Sequence, residues 1–179
     1  MLNELDIVRD VSERLERAGI EYMLTGSMAM NYYAQPRMTR DVDIVVALTP
    51  GDADTIVQLF QPDYYVSSDA VVDSISSETL FNVIHQDSVI KVDFIVRKSA
   101  PFRRAEFERR QRIAIENFST WIVSAEDLII SKLDWVRDSR SEIQLRDVRN
   151  LVAAGCDLEY VEHWVRILHL GELWRECLL

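Results

Sequence analysis

The chain has 179 residues, of which 48% are hydrophobic and 28% are charged, a balance typical of a folded globular domain. Its 30 acidic residues outnumber 20 basic ones, which excludes a uniformly basic nucleic-acid coat but leaves room for a local basic patch. Its two cysteines exclude a disulfide framework. Because no apolar run reaches the ~20 residues that cross a bilayer and the N-terminus lacks a signal-peptide core, we expect a cytoplasmic protein without a membrane partner.

The first half of the chain alternates predicted helices and strands. An amphipathic helix is predicted over residues 3–18, where apolar residues recur at three- and four-residue intervals, namely Leu5, Val8, Val11 and Leu15. Beyond it we predict, in chain order, a strand over 20–24, a helix over 26–34, a strand over 42–48, a helix over 52–60, a short strand over 64–66 and a helix over 69–77. Residues 80–86 and 89–96 then form a predicted hairpin.

The pattern changes to mainly helix after residue 97. We predict a helix over 101–110, strand or extended structure over 112–124, and helices from Ala125 to the end. Together the elements predict an α/β (α+β) fold, with a mixed sheet flanked by helices in residues 1–120 and a helical part in residues 121–179. No flexible linker separates the two parts, so we expect them to pack as one unit.

Two of the predicted strands carry carboxylates on one face. Because alternate side chains of a strand share a face, Asp41 and Asp43 point one way while Val42, Ile44 and Val46 point the other. The same alternation separates Asp93 and Lys91 from an apolar face of strand 89–96. If the two strands are neighbours, three carboxylates meet on one face of the sheet.

Such a cluster of carboxylates predicts a metal site. Three neighbouring carboxylates repel one another unless a cation lies between them. Hard oxygen ligands favour Mg²⁺, with Mn²⁺ as the alternative ion, and such sites support displacement at phosphorus. The other interpretation is that the three Asp residues only solubilise the outer face of the sheet. We favour the metal site, because each Asp interrupts an otherwise apolar strand.

A second chemical element lies upstream, at Gly26-Ser27. Glycine lets the backbone approach a ligand closely, and Ser27 begins a predicted helix. The free N–H groups at a helix N-terminus bind phosphate. An ordinary strand-to-helix turn is the simpler interpretation of Gly-Ser alone, and the nearby carboxylates are what favour a phosphate site.

This combination resembles the nucleotidyltransferase superfamily, which includes DNA polymerase β and the aminoglycoside nucleotidyltransferases. The family pattern is a strand, Gly-Ser, a helix, a strand with Asp-x-Asp and a third acid on a later strand, found here as Gly26-Ser27, Asp41-Val42-Asp43 and Asp93. The motif from Arg37 to Asp43 also looks like that of the toxin nucleotidyltransferases of abortive-infection systems. Those proteins carry a helical Lys and an Arg-Asp pair, matched here by Lys132 and Arg146-Asp147.

The resemblance implies an enzyme that transfers a nucleoside monophosphate from an NTP to a hydroxyl of RNA, protein or a small molecule. Asp41 and Asp43 would then bind the metal ions. Asp93 would complete the metal site and deprotonate or orient the acceptor hydroxyl. The alternative function is a non-catalytic nucleotide-binding module with the same fold, or one partner of a toxin–antitoxin pair.

The resemblance also implies nucleotide-binding residues. Gly26 and Ser27 would hold the β- and γ-phosphates, and Lys132 would neutralise charge on the nucleotide or on pyrophosphate. Lys132 is as readily interpreted as a surface lysine. Asp147 serves equally well as a structural partner of a basic group or as a catalytic residue. We also assign Arg40, within the Arg37–Asp43 motif, to nucleotide binding.

One segment of the chain is locally basic. Residues 97–112 contain seven basic and two acidic side chains. A segment of this charge, placed directly after the strand of Asp93, could bind RNA. The simpler interpretation is a helix face whose arginines pair with acidic neighbours. We favour that interpretation, because no aromatic residues alternate with the arginines to form a base-stacking surface.

Overall fold

A computed structural model of the chain describes residues 2–178. Within these residues the chain forms nine α-helices: α1 Glu4–Arg17, α2 Gly26–Tyr33, α3 Ala53–Phe60, α4 Ser68–Ser77, α5 Pro101–Glu108, α6 Ala125–Ser139, α7 Glu142–Ala154, α8 Leu158–Ile167 and α9 Gly171–Leu178. A single 3-10 turn, Pro50–Asp52, precedes α3. Met1 and Leu179, the outer ends of the two predicted parts, lie outside the described residues.

Seven strands of the described chain form one mixed sheet: β1 Tyr22–Thr25, β2 Val42–Val46, β3 Tyr64–Val66, β4 Leu80–His85, β5 Lys91–Val96, β6 Gln111–Ile115 and β7 Phe118–Ile122. Their order across the sheet is β3-β4-β5-β2-β1-β7-β6. Strands β2 and β5 are parallel, as are β1 and β7, while the remaining pairs are antiparallel. The predicted mixed α/β fold is therefore confirmed.

The local sequence explains where the elements that surround the site begin. Asn3 and Asp6 form a reciprocal capping box at the start of α1, and each side chain accepts a hydrogen bond from the other residue's backbone N–H. The apolar stripe predicted for this helix packs into the core, where Val8, Val11 and Leu15 are completely buried. Ser124 caps α6, its Oγ accepting from the Asp127 backbone N–H at 3.1 Å while its hydroxyl donates to the Asp127 side chain.

Two features of the sheet differ in detail from the sequence-based expectation. The strand expected over 42–48 ends at Val46. The extended segment expected over 112–124 is a hairpin of β6 and β7 that joins the sheet beside β1. A parallel neighbour so far away in sequence leaves no local signal, because its pairing partner lies about a hundred residues upstream.

Helices α6 and α7 complete the layer that covers the carboxylate face of β2. Helix α6 packs against α2, α7 and α8, and its buried stripe includes Ile129, Leu133 and Val136. Helix α7 buries Leu145, Asp147, Val148 and Leu151. None of the helices within residues 2–178 is long and apolar enough to cross a membrane.

Candidate active site

Strands β2 and β5 bring Asp43 and Asp93 side by side. The strands are parallel neighbours whose register pairs Asp43 with Asp93, so both side chains project from the same face of the sheet. The apolar residues that flank each Asp along its strand are buried on the other face, namely Val42, Ile44, Val92 and Phe94. The two strands are therefore neighbours, which is the condition that the sequence analysis set for the carboxylates to meet on one face.

Asp41 stands one residue before β2 and is linked to the pair through Lys91. The Lys91 ammonium donates a hydrogen bond to Asp93 at 2.9 Å and lies 3.6 Å from an Asp41 oxygen. The side-chain amide of Asn82, opposite Asp93 on β4, also donates to Asp93. The hydrogen bond to Asp93 raises the pKa of Lys91, so this side chain carries a full positive charge between two carboxylates.

Asp43 has a strongly perturbed carboxyl group. Burial raises its pKa from 3.8 to about 6, and the negative charges of Asp93 and Asp41 add to the shift. Within residues 2–178 no side chain donates a hydrogen bond to its carboxylate. Asp43 therefore lies among like charges with free oxygen lone pairs, an arrangement that favours a bound cation.

Only glycine fits at position 26, because the Asp43 side chain lies against its backbone. Its backbone adopts a φ of +64°, and a Cβ atom there would lie 2.0 Å from Oδ2 of Asp43. Any other residue would therefore strain the backbone and displace the carboxylate. The start of helix α2 thus approaches the carboxylate so closely that it leaves room only for glycine.

An ionic network connects the next residue, Ser27, to helix α7. Arg37 Nη2 donates to Ser27 Oγ at 2.6 Å and to Asp147 Oδ2 at 3.0 Å, while its Nε donates to Asp147 Oδ1 at 3.1 Å. The Asn31 side chain holds the Arg37 backbone through bonds of 2.8 and 2.9 Å. Because the Ser27 oxygen accepts from a guanidinium, its hydroxyl hydrogen is free to donate to a ligand.

Lys132 belongs to the same network. Its Nζ donates to Asp147 at 2.9 Å and to Gln144 at 2.8 Å, and the side chain is 4% exposed, so the surface-lysine interpretation is wrong. Burial lowers the pKa of Lys132, although Asp147 opposes the shift. Burial acts to raise the pKa of Asp147, but hydrogen bonds from Arg37 and Lys132 hold it below its ordinary value. Asp147 is therefore a buried anion shared by two cations.

Part of this site lines a pocket of about 500 Å³, which we call the Asp43 pocket; Asp41, Asp93 and Asp147 are not among its lining residues. The carboxylate of Asp43, the Gly26-Ser27 turn and Lys132 lie in its wall, and Val45 and Ile95 add apolar surface from the sheet. Sequence reasoning missed several lining residues, namely Gln144, Arg97, Lys98, Leu80 and Trp135. Because they come from three different elements and the loop between β5 and α5, their convergence depends on tertiary structure rather than on any local motif.

Two residues lie elsewhere than their sequence suggested. Arg40 is exposed before β2 and lines a separate depression with Asn3, Leu5 and Met38 rather than the Asp43 pocket. Its assignment to nucleotide binding stays a prediction. Trp135 lies in an apolar helical context, where a residue is usually buried, yet it is 62% exposed, because it falls outside the buried stripe of α6.

The basic segment 97–112 is largely neutralised by the protein itself. Four of its arginines pair with carboxylates, Arg103 with Glu106 and Asp134, Arg109 with Glu126 and Asp127, Arg110 with Glu21, and Arg112 with Glu16. This is the ion-paired helix and strand face that the simpler interpretation predicted. Binding of RNA by this segment stays a prediction, and Arg97, Lys98 and Arg104 form no ion pair within the described residues.

The carboxylates fit a magnesium ion by their chemistry. Within the described part of the chain, no group of three or more His, Cys, Asp or Glu side chains is already spaced as a metal site. Mg²⁺ needs fewer, because it is usually bound through one or two carboxylates together with water and substrate phosphates. Asp43 and Asp93 supply such a pair of hard oxygen donors, and the mutual repulsion that raises the pKa of Asp43 favours a cation beside it.

Comparison with known proteins identifies the fold. No protein-family model and no curated protein sequence matches the chain. Among solved structures, it is similar to the antibiotic-resistance factor ANT(2'')-Ia, with a TM-score of 0.62 and 13% identity over 97% of this chain and 92% of that protein. It is also similar to a nucleotidyltransferase-like protein of Paracoccidioides brasiliensis, with a TM-score of 0.57 and 18% identity over 84% and 75% of the two chains.

A third similar structure is the lincosamide antibiotic adenylyltransferase LnuA with bound lincomycin. Its TM-score is 0.55 and its identity 12%, over 86% of this chain and 98% of LnuA. At such low identity these likenesses establish the fold, and they agree with the resemblance that the motifs at Gly26-Ser27 and Asp41–Asp43 carry. The chain has the fold of the nucleotidyltransferases.

Proposed function

We propose that this protein is a Mg²⁺-dependent nucleotidyltransferase that moves a nucleoside monophosphate from an NTP to a hydroxyl group. The observation that carries the proposal is the contact between Gly26 and Asp43. It places the start of helix α2 directly against a carboxylate that is paired with Asp93 on the neighbouring strand. The start of α2 and the Asp43 carboxylate lie in one wall of the Asp43 pocket, so a phosphate bound at α2 would lie beside a metal ion bound at Asp43.

The phosphates would bind at the start of α2. The free backbone N–H groups of its first turn point along the helix axis and attract anions. Ser27 adds a hydroxyl donor, whose oxygen is already held by Arg37. The Lys132 ammonium lies in the same pocket and would neutralise charge on the phosphates, as the family resemblance implies. Three kinds of donor would then converge on one anion.

The metal ion would be held by Asp43 and Asp93, with Asp41 near enough to join them through a change of its exposed side chain. Bound Mg²⁺ supplies charge neutralisation of the phosphates and lowers the pKa of an attacking hydroxyl. Asp93 is the residue that we assign to orienting the acceptor hydroxyl and accepting its proton. Asn82 and Lys91 hold the Asp93 carboxylate in a fixed orientation for this role.

The acceptor of the nucleoside monophosphate is a hydroxyl group, and the charges around the pocket bear on which class of molecule carries it. RNA, protein and small-molecule hydroxyls all satisfy the chemistry. The ion pairs within residues 97–112 leave few arginines for a polyanion, which favours a protein or a small molecule. LnuA and ANT(2'')-Ia, the structural neighbours named above, are an antibiotic adenylyltransferase and an antibiotic-resistance factor, so a hydroxylated small molecule is the first acceptor class to test.

The test is transfer of label from each α-labelled NTP, with Mg²⁺, to separate pools of small molecules, RNA and protein. We expect the wild type to label one pool and release pyrophosphate. Asp43→Ala and Asp93→Ala should each reduce transfer by at least about 10²-fold, the scale on which a lost electrostatic stabiliser acts. Ser27→Ala should reduce it less, because the N–H groups of α2 remain.

Asp54→Ala is the matched control, because Asp54 is an exposed aspartate on α3 outside the Asp43 pocket. It should transfer label as the wild type does. Replacing Arg104, a basic residue of segment 97–112 outside the Asp43 pocket, identifies an RNA acceptor by a salt-dependent loss. Nucleotide binding without transfer to any pool would contradict the catalytic proposal and support the non-catalytic module or toxin–antitoxin partner.

A further inference from the structure

Trp135 is the one aromatic side chain that lines the Asp43 pocket within residues 2–178. It is 62% exposed, and the other large exposed apolar side chain in this pocket is Leu80, at 47%. Burial of an indole is normally favourable by several kcal/mol, so an exposed tryptophan facing a cavity is an unused apolar surface. The contacts of the fold do not account for its position.

The position of Trp135 on α6 relates it to the phosphate end of the pocket. It stands three residues after Lys132, and residues three apart on a helix are neighbours on its surface. At 1.5 Å rise per residue, the two side chains are separated by about 4.5 Å along the helix axis. A nucleotide whose phosphates contact Lys132 would therefore have Trp135 within reach of its sugar and base, since both residues line the same pocket.

The chemistry of the surroundings specifies a flat aromatic ligand. Opposite α6, the sheet contributes Val45, Ile95 and Leu80 to the same pocket, so an apolar wall faces the indole. An exposed indole stacks on any base, because every base has a π-face, and such stacking needs no matching hydrogen-bond pattern. Charged side chains also line the pocket, among them Asp134 and Asp138 on α6, and the apolar surface available to a base includes Trp135, Leu80 and Ile95.

We propose that Trp135 is the platform on which the base of the incoming NTP stacks. This inference rests on the proposed function, since it needs the phosphates to lie between the start of α2 and Lys132. It also predicts that the protein binds all four NTPs, with purines ahead of pyrimidines because their larger rings cover more of the indole. The role is that of a binding residue and not of a catalytic one.

The test compares two ligands with Mg²⁺: α,β-methylene-ATP, which carries a base and is not cleaved at the α-phosphate, and tripolyphosphate, which has none. Trp135→Ala should weaken α,β-methylene-ATP by about 5- to 150-fold, the range measured for loss of one base-stacking side chain. It should change the affinity for tripolyphosphate by less than about 2-fold. Trp135→Phe, which keeps an aromatic ring, should retain most of the nucleotide affinity.

Tryptophan emission provides an independent readout. The chain has four tryptophans, and stacking of a base should quench the emission of Trp135 on titration with α,β-methylene-ATP. Trp121→Phe is the control, because Trp121 lies on β7 beneath Arg110, outside the pocket. This variant should keep the quenching, while Trp135→Phe should lose it.

The outcomes separate this inference from the proposed function. Unchanged binding of α,β-methylene-ATP by Trp135→Ala, or an equal loss for both ligands, would overturn the stacking role while leaving the transferase proposal standing. Failure of the wild type to bind either ligand with any divalent cation would overturn both. Because Trp135 is largely exposed, its replacement should leave the thermal unfolding midpoint within a few degrees of the wild type.

Discussion

The carboxyl group of Asp43 makes the folded protein less stable above about pH 6, and Asp43→Asn should remove that effect. Burial and two neighbouring negative charges raise its pKa from 3.8 to about 6. In the unfolded chain the group releases its proton near its ordinary pKa, whereas the folded protein retains the proton until about pH 6. Between these values the unfolded state binds fewer protons, so stability falls as the pH rises.

The size of the effect follows from the shift. About two pKa units at about 1.4 kcal/mol each amount to roughly 3 kcal/mol, an upper value because local rearrangement relieves part of the repulsion. Asp43→Asn should therefore match the wild type at about pH 4 and become more stable by up to about 3 kcal/mol at pH 8. No lost hydrogen bond offsets the gain, since no side chain of residues 2–178 donates to this carboxylate.

Urea unfolding with a chelator present, at one-unit intervals from pH 4 to pH 8, measures the difference. Asp54→Asn on α3 is the control, and its difference from the wild type should stay flat across the range. Saturating Mg²⁺ should raise the stability of the wild type but not that of Asp43→Asn, because binding to the folded state alone is stabilising. A variant that is less stable than the wild type at pH 8 would refute the reasoning, since Asp43 would then be a structural acceptor.

The remaining predictions concern the two elements that surround Asp43. Gly26→Ala and Gly19→Ala form a matched pair, because both positions have positive φ, +64° and +68°, but only at Gly26 would the Cβ meet other atoms. Both should lose about 1–2 kcal/mol to backbone strain, and only Gly26→Ala should lose Mg²⁺ binding in calorimetry. Asp147→Asn should cost about 3–5 kcal/mol in urea unfolding, because it leaves two cations facing each other. Lys132→Met should cost clearly less, since Arg37 still pairs with Asp147, and the reverse ranking would contradict the network.

The local elements of the fold were predictable where one physical signal dominates. The alternation in β2 and β5 indicated which face carries Asp43 and Asp93, because a two-residue period admits only one assignment of faces. The three-to-four-residue spacing of Val8, Val11 and Leu15 likewise predicted α1. What these patterns do not contain is which strands pair, so the β6–β7 hairpin beside β1 became visible only in the folded chain.

The site was predictable in its motifs and unpredictable in its contacts. Gly26, Ser27 and Asp43 lie within one stretch of sequence, and family resemblance suffices to connect them. The pairing of Arg37 with Asp147 spans 110 residues, and no local pattern specifies it. For Trp135 the local pattern points the wrong way. An apolar residue on a helix is usually buried, whereas Trp135 is exposed at the Asp43 pocket.

We interpret the buried charged side chains around Asp147 as serving to position residues of the site rather than to stabilise the fold. Replacing a buried ion cluster by apolar side chains of similar volume is often neutral or stabilising, so a core that needed only to be stable would gain little from these charges. The network instead fixes three parts of the chain relative to one another. Arg37 joins the Ser27 hydroxyl to Asp147 on α7, and Asp147 in turn holds the Lys132 ammonium of α6. Ser27 and Lys132, which we propose to bind phosphate, are thus both connected to one buried anion, Ser27 through Arg37, so moving Asp147 would displace both side chains at once.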